Sequence, residues 1–86
     1  MTPEARVKTA VKRLLVSHGV YYVMPVSNGM GAHGVPDFMV CAYGRFLGIE
    51  TKTAGKLPTD LQMSNLRQID EAGGIAMVIN ETNLLS

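Results

Sequence analysis

Two apolar runs meet at Tyr43-Gly44, and together they constrain this chain more than any other feature. A tight turn at that pair makes a β-hairpin of residues 36–42 and 45–52 and fixes its register. Counting outward from the turn, Asp37 stands directly opposite Glu50. Directly opposed residues hold their Cβ atoms ~5 Å apart, where like charges destabilise. A hard divalent cation bound between the two carboxylates reverses that penalty. Strand alternation places Lys52 on the face of Glu50. Two carboxylates and a lysine on one patch suit metal-assisted hydrolysis.

Thr2-Pro3 predicts a helix start, with Thr as N-cap and Pro in the first turn. Val7, Ala10, Val11, Leu14, Leu15 and His18 recur at helical spacing, and Gly19 closes the helix. Residues 20–26 read as a strand with Pro25 near its end or at an edge. Ser27 to Gly34 form a glycine-rich loop. After the hairpin, residues 53–58 form a loop carrying Lys56. Thr59-Asp-Leu-Gln62 is a capping-box pattern opening a second helix through Leu61, Leu66 and Ile69, which Gly73-Gly74 ends. Gly74 to Ile79 reads as a buried strand, and Asn80 to Ser86 as a tail with helical character. The order is αβββαβ: an α/β fold with one central mixed sheet flanked by helices. The 59–79 crossover suits a parallel connection, so the last strand joins beside the second hairpin strand.

The chain has 86 residues, the size of one small domain. Such a domain buries only ~60–65% of its unfolded surface, which favours oligomerisation. No apolar run is long enough for a membrane span, and the charged N-terminal segment is unlike a signal peptide. A single cysteine, Cys41, excludes an internal disulfide and a cysteine zinc site. A reducing cytoplasm is the default expectation. The net charge of +1 excludes a strongly basic nucleic-acid binder. Bound divalent metal would add positive charge where phosphate must approach.

Gly34-Val-Pro-Asp37 followed by Ile49-Glu-Thr-Lys52, in this order of elements, resembles the PD-(D/E)xK nuclease superfamily, and within it the VRR-Nuc family of virus-type replication-repair nucleases. The resemblance runs over nearly the whole chain, 1–86, as one VRR-Nuc-like domain. It includes a glutamate-bearing first helix, a glutamine opening the next helix and the strand Gly74 to Ile79. It implies a restriction-endonuclease-like core. It also implies that Asp37, Glu50 and the Thr51 carbonyl bind metal, joined by Glu4 directly or through water. Oxygen donors completed by water and phosphate suit Mg²⁺, with Mn²⁺ substituting.

Other residues carry two readings each. Glu4 is also a first-turn acid favoured by the helix dipole, though it shares a helical face with Val7, Val11, Leu14 and His18. Lys52 pairs with Glu50 or stabilises charge developing on phosphorus. Gln62 closes the capping box or serves the active site, as the family's glutamine does. His33 stands where relatives often carry arginine, and histidine bears less charge at neutral pH. With the glycines before it, His33 could touch the DNA backbone. His18 reads as a helix-terminal or core histidine, and the methionines as core filler.

The resemblance implies a Mg²⁺-dependent DNA endonuclease in which water attacks the phosphodiester in line and leaves a 5′-phosphate. Small stand-alone relatives imply a homodimer that resolves four-way junctions, in a bacterium or a virus-infected bacterial host. A flap- or fork-specific nuclease, a nuclease acting on ordinary duplex, and a DNA-binding module without catalysis are the alternatives.

Overall fold

Thr2 caps helix α1 (Pro3–Ser17): its Oγ1 accepts from the Ala5 N–H at 3.1 Å. Pro3 lies in the first turn, where a missing N–H costs no helical bond. Val7, Val11 and Leu15, one helical turn apart, are buried against Phe38, Val40 and Ile49 of the sheet. That stripe runs through Leu15. Leu14 is half-exposed and His18 exposed, so the face expected through Leu14 and His18 lies beside the buried one. His18 is the helix C-cap, with Nδ1 3.0 Å from the Leu14 carbonyl.

The computed structural model describes residues 1–26 and 33–84. Beyond α1 it contains β1 (Tyr21–Val23), β2 (Phe38–Ala42), β3 (Arg45–Thr51), α2 (Asp60–Glu71) and β4 (Ile75–Ile79), in the αβββαβ order expected. The sheet runs β1-β2-β3-β4. Its first two pairings are antiparallel and β3–β4 is parallel, joined through α2. Tyr43 and Gly44 both have positive φ, 52° and 79°, as a two-residue type I′ hairpin requires. The turn sets Ala42 opposite Arg45 and Phe38 opposite Ile49.

Two strands are shorter than the sequence suggests, and prolines explain it. β1 stops at Val23, two residues before Pro25, and β2 begins at Phe38, after Pro36. Neither proline has an N–H for a ladder. The tail folds into turns at 81–84 rather than a helix, because Asn80 and Asn83 side chains take the backbone N–H groups of Thr82 and Asn80. Of the methionines, Met24 and Met77 pack on the core, whereas Met1 and Met63 are exposed. No helix among the described residues is long and apolar enough to cross a membrane.

Candidate functional site

The hairpin ladder breaks at its open end. One step beyond Phe38–Ile49 the register sets Asp37 against Glu50, and the next sets Pro36 against Thr51. Pro36 has no N–H to offer the Thr51 carbonyl. The Thr51 N–H donates to Asp37 Oδ2 at 3.0 Å, and the Thr51 hydroxyl donates to the same oxygen at 2.5 Å. Thr51 is fully buried. A carboxylate therefore sits where the sheet would have continued, with one oxygen holding two donors. The other, Oδ1, lies 3.7 Å from Lys8 Nζ.

Glu50 is different. It sits on β3 opposite Val78 and is only 2% exposed. Its Oε2 lies 3.7 Å from Lys52 Nζ, as expected for two residues on one strand face. Its Oε1 is buried and receives no hydrogen bond from the described residues. Burial raises the Glu50 carboxyl from its ordinary 4.5 to about 7, and the Asp37 charge adds to the rise. Lys52 and the Asp37 backbone N–H draw it back less, and Glu4 contributes the weakest push upward. A buried charge is costly unless paired, so this pocket is short of positive charge.

Asp37 Oδ1, Glu50 Oε1 and the Thr51 carbonyl are hard oxygen donors at one end of the hairpin. Such a set fits Mg²⁺ or Mn²⁺ and not a thiolate-seeking ion. Glu4 stands apart: it is exposed on α1, and its charge is the smallest of the causes that shift Glu50. Among the described residues no three His, Cys, Asp or Glu side chains converge as a ligand cluster. Ligands beyond the two carboxylates must come from backbone carbonyl, water or substrate.

Gln62 closes the capping box of α2. Its Oε1 accepts from the Thr59 N–H at 2.8 Å, while Thr59 Oγ1 accepts from the Gln62 N–H at 3.2 Å. His33 is exposed, and residues 27–32 of the glycine-rich loop lie outside the described residues.

Three contributions escaped the sequence reading. Lys8 reaches Asp37 from α1; its signal was its place four residues after Glu4, on the same side of the helix. The resemblance assigns Thr51 only its carbonyl, yet its amide and hydroxyl aim Asp37. The third is the lock between α2 and the segment before Asp37. Gly34 has φ +75°, and a Cβ there would stand 2.7–2.9 Å from Leu61 atoms, backbone among them. Asn65 Nδ2 also donates to the His33 carbonyl at 3.0 Å. No short-range pattern marks a contact of that sequence separation.

No protein-family model and no curated protein sequence matches the chain. Solved structures do. A VRR_NUC domain superposes with a TM-score of 0.78 at 22% identity, over 93% of this chain and 86% of that one. A VRR_NUC domain protein gives 0.77 at 18% identity, over 99% and 83%. Hjc, a Holliday junction resolvase from the archaeal hyperthermophile Archaeoglobus fulgidus, gives 0.66 at 19% identity, over 88% and 66%. At these identities the likeness is one of fold. The mixed four-stranded sheet with its two helices shares the fold of these VRR_NUC domain structures.

Proposed function

We propose that this chain, one domain with a VRR-Nuc-like nuclease fold, is a Mg²⁺-dependent endonuclease that hydrolyses phosphodiester bonds in branched DNA. The observation that carries the reading is Glu50 Oε1, a buried oxygen without a donor among the described residues, beside Asp37 and Lys52. Asp37 and Glu50 would hold the cation, with the Thr51 carbonyl as a third oxygen and Glu4 reaching it through water. A bound Mg²⁺ would supply Lewis acidity and make a water nucleophilic at neutral pH. Lys52, just past the end of β3 and 3.7 Å from Glu50, would stabilise charge developing on the phosphate oxygens as water attacks in line. Of the Gln62 amide, the oxygen serves the cap, so a role towards DNA would fall to the NH₂ group.

The four-way junction is the substrate we favour, because the fold is shared with Hjc, a Holliday junction resolvase. A domain with eight Lys and Arg offers few phosphate contacts. A two-fold homodimer doubles them and presents paired sites to a two-fold substrate. Affinity should then fall steeply as salt rises.

The test is cleavage of junction, flap and linear DNAs by the purified protein in Mg²⁺ and Mn²⁺, with equilibrium sedimentation beside it. A dimer that nicks opposing strands of a junction is the expected result. A monomer that cuts flaps and leaves junctions intact would replace the resolvase reading with a flap nuclease. DNA binding without cleavage in either metal would make the chain a binding module.

A further inference from the structure

We propose that Lys8 is a displaceable counter-ion of this site: it occupies Asp37 Oδ1 while no metal is bound and yields that oxygen to the cation. The inference rests on the reading of Asp37 as a metal ligand.

Each carboxylate of the site has its own lysine, and both pairs measure 3.7 Å. Their surroundings differ. Lys52 is 15% exposed and its partner Glu50 carboxyl 3%. Lys52 issues from the end of β3, and its own N–H is bound to the Ile79 carbonyl at 3.0 Å. That ammonium has little room to leave. Lys8 is 38% exposed and its partner 24%. It reaches over from α1 on a long flexible stem and can swing into water at small cost.

The two Asp37 oxygens also differ. Oδ2 is committed to the Thr51 amide and hydroxyl, both of which move only with β3. Among the described residues Oδ1 meets only Lys8, so it is the oxygen an incoming cation can take. An ammonium and a divalent cation cannot both sit against it without strong repulsion. The lysine therefore neutralises Asp37 in the metal-free protein and opposes the metal until it moves aside. Once it has moved, its charge stands at the rim of the site, where a DNA phosphate would approach.

Mn²⁺ titration by calorimetry, without DNA, separates the possibilities. Wild type, Lys8→Gln, Lys8→Met, Lys8→Arg and Asp37→Asn are compared at low salt. Removing the ammonium in Lys8→Gln or Lys8→Met should tighten Mn²⁺ binding by about 3- to 10-fold, the scale of a partly exposed ion pair plus relieved repulsion. Lys8→Arg should bind as wild type does. The gap should narrow as salt screens the charge. Equal or weaker Mn²⁺ binding by folded Lys8→Gln and Lys8→Met, with wild type still binding, would overturn the counter-ion role alone. Failure of wild type and both neutral variants to bind Mn²⁺ would overturn the metal reading, and this inference with it.

Discussion

Asp37 and Glu50 stand at the same end of one hairpin, yet their surroundings are opposite. Asp37 lies just outside the ladder, half-buried, with two Thr51 donors on one oxygen and Lys8 beside the other. Glu50 lies inside the sheet, buried, with Lys52 beside one oxygen and no hydrogen bond to the other among the described residues. One carboxylate is held in place; the other is held in deficit. Hydrogen bonds aim a ligand, whereas an unsatisfied buried oxygen creates demand for a cation. A site for a hard metal needs both.

The strongest way to break the comparison is to neutralise either member. Asp37→Asn and Glu50→Gln should each abolish Mg²⁺-dependent DNA cleavage while circular dichroism shows a folded protein. Wild-type nicking by either variant would remove that carboxylate from the site. Next in size is Lys52→Ala. If Lys52 acts in the transition state as proposed, this should lower the cleavage rate by more than ~10²-fold with little change in Mn²⁺ affinity. A change confined to metal or DNA affinity would reassign it to binding.

The deficit at Glu50 also has a pH signature. Its carboxyl is raised from 4.5 to about 7. Between those values the folded chain holds a proton that the unfolded chain has released, so stability falls as pH rises through that window and levels off above it. Thermal melts in EDTA should drop by ~5 °C or more from pH 4.5 to pH 7.5 on this account. Glu50→Gln should flatten the profile, and Mg²⁺ should restore stability at the alkaline end. A wild-type profile parallel to that of Glu50→Gln would show that burial is not acting on this group.

Thr51→Val sharpens the other side. It keeps shape and the backbone donor and removes the hydroxyl from Asp37. A hydrogen bond to a charged group contributes ~1.5–3 kcal/mol, so denaturant unfolding should show a free energy lower by that amount and an earlier midpoint. An unchanged midpoint would mean that the amide alone holds Asp37. The smallest effect belongs to Glu4→Gln. Loss of a dipole-favoured acid predicts at most ~1 kcal/mol of stability and normal activity. Loss of a water-mediated ligand predicts weaker activity at limiting Mg²⁺. A Mg²⁺ titration of the cleavage rate distinguishes the two.

The sequence by itself determined the order αβββαβ, the hairpin register and the shared face of Glu50 and Lys52. These follow from local rules: a two-residue turn, a strand period of two, a capping box and apolar spacing. Tertiary structure alone decided what each charged group meets. Lys8 and Asp37 are 29 positions apart, by their numbers, and come together only because Val7, Val11 and Leu15 seat α1 on Phe38, Val40 and Ile49. The lock of Gly34 under Leu61, and of His33 under Asn65, needs α2 to return across the sheet before β4. The deficit at Glu50 is likewise a property of burial, which packing creates and no short stretch of residues encodes.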